Sequence, residues 1–332
     1  MPGRVLVTGA NGFLGRHMVQ ELVARGHAVR ALLRPGTAPP FPAAWAVEYC
    51  EEDLARPVNI SHLTSLANGC ESIIHAAALA QVNPARNPEV VLANIGGTEN
   101  ALRMARKADV SRFVYVGTAN VFGFGTKSRP GDETRPYAGQ RYGLDYMDSK
   151  VTCTKMLLRA VQQEHLPAVL VHPTFMLGPG DAKPTSNALL LELYHGRLPG
   201  YPPGGKNYVH VRDVAVATVN ALTMGRVGES YILGNENLSY REAFALIAGC
   251  LQVKAPRWPI PPGLATIYGQ LCDVKSRLTG RPAQLNAAMA AVANDGHYFT
   301  AHKARAELAL PQTPITQAVV EAFDWFKAHR YV

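Results

Sequence analysis

Tyr146 and Lys150 stand four residues apart in the stretch RYGLDYMDSK, Arg141 to Lys150. A phenol with a pKa of about 10 is a weak proton donor and a weak base at neutral pH. A neighbouring ammonium favours the phenolate and is expected to draw that pKa toward working pH. On a helix, a spacing of four puts both side chains on one face about one turn apart. Tyr142, eight residues before the lysine, is out of reach and is expected to pack or to wall a pocket. Thr118, in VGTANVFG, offers a hydroxyl for the same substrate oxygen as the Tyr146 phenol. A YxxxK pair is common on ordinary helix surfaces, so its meaning depends on what is folded beside it.

A second group of residues has the chemistry of diphosphate binding. TGANGFLG, Thr8 to Gly15, carries Gly9, Gly12 and Gly15 at intervals of three. A diphosphate needs backbone N–H groups, a helix N-terminus and no Cβ in its path, and glycines at a strand-to-helix turn supply these. Placed after the first strand and opening a helix, the triple points to a dinucleotide. Sheets that bind NAD place an acid about 20 residues further on to hold the ribose 2′-hydroxyl. No acid occurs between Glu21 and Glu48, and Arg34 and Thr37 stand there instead, in LLRPGT. A guanidinium suits a 2′-phosphate, so NADP (NADPH) is the expected cofactor and NAD the alternative. Asp53 and Leu54, in EEDLARP, stand either where an adenine edge is held or where a carboxylate caps a turn.

These groups need a scaffold that delivers them to one edge. Arg4 to Ala10, Ala28 to Arg34, Trp45 to Cys50, Ser72 to Ala78, Arg112 to Thr118 and Pro167 to Thr174 read as buried strands. Helix-length segments lie between most of them, including Phe13 to Arg25, Glu89 to Lys107 and Asp145 to Glu164. Strands without polar alternation, separated by helices, indicate a parallel sheet covered on both faces. Thr118 would then sit at a strand C-terminus, the edge where such sheets bind ligands. After Pro173 come Gly/Pro-rich loops, a helical stretch from Asn187 to His195 and the short strands YVHV and SYILG. From Tyr240 the pattern is mostly helical, ending in an amphipathic segment from Thr316 to His329. The expected fold is α/β: a Rossmann doubly wound parallel sheet with a smaller, mostly helical C-terminal substrate lobe. Residues 1–174, with a return segment at about 208–236, form the dinucleotide-binding part, and 175–207 with 237–332 the substrate lobe.

Composition narrows the partners. The 332 residues are 47% hydrophobic and 17% charged, as in compact folded chains. No apolar run is long enough for a membrane span, and the start lacks a basic segment with a cleavage site. A cytoplasmic protein is expected. The five cysteines, Cys50, Cys70, Cys153, Cys250 and Cys272, are far apart and without metal-ligand spacing, so free thiols and no metal site are expected. A net charge of +8 favours anionic partners, but the basic residues are dispersed. That favours one anionic small ligand over nucleic acid.

In order and spacing, TGANGFLG, HAAA (His75 to Ala78), NIGGTEN (Asn94 to Asn100), VGTANVFG, YMDSK and HPTFMLGPGD (His172 to Asp181) resemble the extended short-chain dehydrogenase/reductases, the NAD(P)-dependent epimerase/dehydratase family. YVHVRDVA (Tyr208 to Ala215) looks like the family's later strand-to-helix segment. The likeness covers nearly the whole chain. It is nearest to the dihydroflavonol 4-reductase-like branch, through VRALLRPGT, GPGDAKPT and YILGNENLSYREAFALIA. The resemblance implies Thr118, Tyr146 and Lys150 as the catalytic set, with threonine where serine is more usual. It implies cofactor contacts at Thr8, Gly9, Asn11, Gly12, Phe13, Leu14, Gly15, Arg34, Asp53, Leu54, Ala76, Ala77 and Ala78, with Asn94 holding the cofactor region. Pro173 and Thr174 fall where backbone groups meet the carboxamide, and a homodimer is the family's habit. His75 reads as structural and Asp213, in VRDVA, as a helix cap.

Two reactions fit these residues. One is NADPH-dependent reduction of a ketone or aldehyde on a small, partly hydrophobic molecule, with Tyr146 giving the proton. The other is epimerisation or dehydration of a nucleotide sugar with a retained cofactor. Sugar-nucleotide members usually carry RxFN after the sixth strand and an arginine before the YxHV strand. Here HPTF and GKNYVHV stand, which leaves Lys206 to meet a phosphate and no asparagine at the first site. Arg34 and exchangeable NADPH favour the reductase. A scaffold without turnover is a third reading, disfavoured by the intact Tyr146 and Lys150.

Overall fold

The computed structural model describes residues 3–279 and 286–332. Its first strand, β1 (Val5–Thr8), is buried throughout, as an apolar run covered on both faces must be. There follow α1 (Phe13–Ala24), β2 (Val29–Leu33), β3 (Glu48–Glu51), α2 (Ile60–Ala67), β4 (Ser72–His75), α3 (Pro88–Val91), α4 (Gly97–Lys107) and β5 (Arg112–Val116). Next come α5 (Asp145–Glu164), β6 (Ala168–Pro173), β7 (Phe175–Leu177), α6 (Ala188–Tyr194), β8 (Gly205–His210), α7 (Val211–Asn220) and β9 (Ser230–Leu233). Seven of these strands form one parallel sheet in the order β3-β2-β1-β4-β5-β6-β9. This is a Rossmann sheet extended by one strand, and its order reverses between β1 and β4, where a ligand crevice opens.

Successive residues of each strand feed two apolar layers. Val5 and Val7 join Met18, Val19 and Val214 on one face, while Leu6 joins Ile73, Leu63 and Leu157 on the other. The chain ends with β10 (Glu236–Ser239), α8 (Tyr240–Leu251), α9 (Pro262–Thr279), α10 (Ala287–Asn294), β11 (Gly296–His297), α11 (His302–Leu308) and α12 (Ile315–Ala328). A small second sheet is built around β8, which pairs antiparallel with β10 and parallel with β7 and β11. A third apolar core, with Tyr208, Tyr240, Phe244, Phe323 and Phe326, lies between β8 and the helices α6, α8 and α12.

Four local details differ from the sequence reading. The expected helix from Glu89 to Lys107 is two helices joined by π-type turns at Leu92–Gly96. β3 begins at Glu48, because Ala43–Trp45 form a short 3-10 turn closed by Ala46 at φ +50°. β8 begins at Gly205, ahead of the apolar YVHV run, because Lys206 and Asn207 pair in register with Leu238 and Asn237. Asp213 is also not the cap of α7: His210 accepts from Arg212 N–H there, and the Asp213 carboxylate reaches Thr313 N–H and Oγ1 at 2.8 Å.

Candidate active site

The turn between β1 and α1 is built for close approach. Gly9 has φ +67°, and a Cβ on it would lie 2.7 Å from Ala77 N. A Cβ on Gly15 would lie 2.0 Å from the Gly9 carbonyl oxygen, so only glycine lets α1 pack down on the turn. The first intrahelical bond runs from Arg16 N–H to Gly12 C=O, which leaves the N–H groups of Phe13, Leu14 and Gly15 ahead of it. Gly12 caps the helix without a side chain, and no acid stands in the first turn. The positive end of α1 is therefore uncovered by protein, which is the arrangement a diphosphate requires.

A cleft at this edge is walled by Gly9, Asn11, Gly12, Arg34, Asp53, Leu54, Ala76, Ala77 and Ala78, all singled out from the sequence. Arg34 is exposed, and its guanidinium has no hydrogen-bond or ion-pair partner among the described residues. Asp53 both walls the cleft and caps its turn, accepting from Ala55 N–H at 3.2 Å and pairing with Arg56. Leu32, Glu52, Ala55, Leu79, Ala93 and Gly97 also line the cleft, without being among the residues expected there from the sequence. Glu52 and Ala55 flank the chosen Asp53 and Leu54, whereas Ala93 and Gly97 carry no side chain that signals a site. The Glu52 carboxylate is engaged by Asp53 N–H at 2.7 Å and by His62 at 3.0 Å.

Other expected contacts act from behind the walls. Thr8 is fully buried, and its hydroxyl accepts from Ala77 N–H at 3.1 Å and meets His75 Nδ1 at 2.8 Å. Burial holds His75 neutral, with its pKa down at about 3, and its other nitrogen lies 3.3 Å from Thr98 Oγ1. Leu14 is in the core and Phe13 packs against it. Asn94 sits in the π-type turns and ties two parts of the site together. Its Oδ1 accepts from Leu79 N–H at 2.8 Å, and its Nδ2 donates to Ser149 Oγ at 3.0 Å, beside Lys150. Pro173 ends β6, and Thr174 commits its N–H to Leu233 C=O and its hydroxyl to Asn207 Oδ1. Any cofactor contact at that pair therefore falls to the carbonyl groups.

Helix α5 carries Tyr146 and Lys150, and its start is pinned where Asp145 accepts from Asn87 N–H at 2.6 Å and pairs with Arg86 at 2.8 Å. Tyr142 is buried before it, its hydroxyl donating to Asp295 Oδ2 at 2.5 Å, so it anchors the turn to the chain between α10 and β11. Thr118 follows β5, is 8% exposed, accepts from Asn120 N–H at 3.4 Å, and its hydroxyl lies near enough to the Tyr146 phenol to draw that pKa down. Lys150 is 4% exposed and donates to Val116 C=O at 3.0 Å, with its ammonium 5.1 Å from the centre of the Tyr115 ring.

The electrostatics differ from the expected lysine-tuned phenol. Burial pushes Tyr146 up to about 12, and what draws it back is the Thr118 hydroxyl rather than Lys150. Burial also brings Lys150 down to about 8. With the ammonium drawn to the strand, the phenol keeps its proton at neutral pH.

Lys150 gives a pH test of this burial. Below pH 8 the folded state holds a costly buried charge. Between pH 8 and the ordinary 10.5 it sheds the proton while the unfolded chain keeps it, so stability rises with pH. Relative to Lys150→Met, the wild type is expected to gain up to about 3 kcal/mol across that window, read from denaturant midpoints. A difference that stays flat with pH would show that the ammonium is not desolvated.

Comparison with known proteins agrees with this geometry. A profile of the NAD dependent epimerase/dehydratase family matches residues 5–234. A protein of Synechocystis sp. named "Putative dihydroflavonol 4-reductase" is 30% identical over 98% of this chain and 95% of its own length. "Sterol demethylase protein B" of Methylococcus capsulatus is 28% identical over 97% of this chain and 98% of its own. Among solved structures, that of gox2253 superposes with a TM-score of 0.85 at 30% identity, covering 98% of both chains. The chain belongs to the NAD dependent epimerase/dehydratase family, as an NAD(P)-dependent oxidoreductase of the extended short-chain dehydrogenase/reductase type.

Proposed function

We propose that the protein is an NADPH-dependent reductase of a ketone or aldehyde on a small, partly hydrophobic molecule. The observation that carries this reading is the placement of Tyr146 beside Thr118, with the buried Lys150 one helical turn on, at the C-terminal edge of β5. Reduction needs a group that gives up a proton as the carbonyl oxygen gains charge, and a phenol kept in its acid form is ready for that step. The nicotinamide cofactor supplies hydride when bound. Thr118 orients the carbonyl oxygen and Tyr146 delivers its proton to that oxygen, while Lys150, bonded to Val116 C=O, holds α5 against the strand that carries Thr118. Apolar residues around Tyr146, among them Tyr142, Leu144, Met147, Phe124, Ala288 and Val292, suit a partly hydrophobic substrate.

The cofactor preference rests on Arg34. It lines the cleft with its guanidinium uncommitted, while the nearby Glu52 carboxylate is taken by His62 and Asp53 N–H. A free guanidinium, beside an acid already hydrogen-bonded within the protein, favours a 2′-phosphate over a bare 2′-hydroxyl.

One observation favours the alternative, a nucleotide-sugar epimerase or dehydratase. Lys206 lies 4.4 Å from the centre of the Phe175 ring, burial brings it down to about 8, and it has no carboxylate partner among the described residues. A diphosphate could serve as that partner. The reductase reading stands ahead because the same reaction run through an epimerase needs the phenolate first, which burial opposes.

A panel of ketones and aldehydes with NADPH, followed by cofactor absorbance, separates the two. Net oxidation of NADPH is expected, and Tyr146→Phe should lower kcat by about 100-fold or more with cofactor affinity kept. Strong thermal stabilisation by a nucleotide sugar, without net cofactor oxidation, would instead select the epimerase. Arg34→Ala is expected to weaken NADPH binding by about tenfold or more while leaving NADH nearly unchanged, measured by fluorescence titration. Equal losses for both cofactors would remove the 2′-phosphate assignment.

A further inference from the structure

Trp258, Leu271 and Leu264 are 75%, 63% and 61% exposed, the three most exposed large apolar side chains among the described residues. Ile267 adds another at 55%. At 100° per residue, Leu264, Ile267 and Leu271 of α9 fall within about 60° of one another. Gly269 lies roughly 170° around the helix from that stripe. It is buried, and a Cβ on it would come 2.8 Å from Ala287 Cα. Helix α9 thus packs on α10 through a glycine contact and turns its aliphatic stripe directly away from the protein. Monomers seldom gather exposed apolar side chains in this way without a partner for them.

Charge identifies the partner. From Gln252 to Asn294 the sequence carries Lys254, Arg257, Lys275, Arg277 and Arg281 against one acid, Asp273. Lys254 and Arg257 are exposed, wall a surface trough together with Trp258, and have no hydrogen-bond or ion-pair partner among the described residues. A second copy docked here face to face would bring like charges together, which disfavours pairing. An apolar stripe, a tryptophan and flanking cations match the boundary between anionic headgroups and acyl chains.

We propose that α9 and the segment before it rest on an anionic lipid surface. Leu264, Ile267, Leu271 and Trp258 enter the acyl boundary, and Lys254 and Arg257 meet lipid phosphates. Beneath α9, helix α10 packs Ala288, Ala291 and Val292 against the cluster of Tyr142, Leu144 and Met147 that Tyr146 joins. The lipid-facing helix is therefore one helix layer from the catalytic phenol, a placement suited to taking a substrate dissolved in the bilayer. No helix among the described residues is long and apolar enough to cross a membrane, so the contact is peripheral. Lipid binding is read without turnover, so it stands or falls apart from the reductase assignment.

The test is co-sedimentation of the full chain with vesicles of phosphatidylcholine alone or mixed with phosphatidylglycerol. Binding to the mixed vesicles is expected to be at least about tenfold tighter and to weaken with salt. Tryptophan emission should shift to the blue on binding, and the shift should vanish in Trp258→Phe. The combined Leu264→Ser, Ile267→Ser and Leu271→Ser variant should lose binding with an unchanged thermal midpoint. If that variant folds poorly, the Lys254→Glu, Arg257→Glu pair keeps the test, since it should abolish the preference for phosphatidylglycerol. Absence of binding to either vesicle, or binding that both variants leave intact, overturns the proposal. So does a serine variant that only converts a dimer to a monomer by light scattering, which would make this face a subunit interface.

Discussion

The site depends on keeping the Lys150 ammonium out of water. Its one backbone partner, Val116 C=O, ends β5, and its ring contact, Tyr115, is the residue before. A cation fixed there sets the helix α5 against the strand that delivers Thr118. The phenol of Tyr146 then falls beside the threonine hydroxyl. The same burial lowers the pKa of the lysine and raises that of the tyrosine, so it favours the uncharged form of both side chains.

Cofactor edge and catalytic edge are joined by polar ties more than by proximity in sequence. Asn94 bridges Leu79, a wall of the cleft, to Ser149, next to Lys150. Thr8 orders Ala77 through its hydroxyl while lying behind the glycine turn. Tyr142 and Arg141 hold Asp295, and His297 meets Asn120 at 3.1 Å, so the segment from α10 to β11 is tied to the chain just after Thr118 and just before Tyr146. These bonds connect elements far apart in the chain.

Much of the fold was legible because its signals are local. The apolar runs of β1, β2, β4, β5 and β6 and the span of α5 follow from burial on both faces and from helical length. The glycine turn was legible for the same reason, since GxxGxxG leaves few other uses for three Cβ-free positions. The parts that escaped depend on partners distant in sequence. The extra residues of β8 are polar and pair only because β10 lies alongside. Ala93, in the π-type turns, and Gly97, at the start of α4, line the cleft without a side chain that marks them in the sequence. The expected pull of Lys150 on Tyr146 failed for a related reason: helical spacing brings the two together, but the strand carbonyl captures the ammonium first.

Titration of a 13Cζ-labelled Tyr146 in the free enzyme tests the central claim most directly. Its resonance is expected to titrate above the ordinary value of 10, and replacing Thr118 by valine should raise the midpoint further. Ionisation near neutral pH, insensitive to Thr118, would contradict the account and return the tuning of the phenol to the lysine.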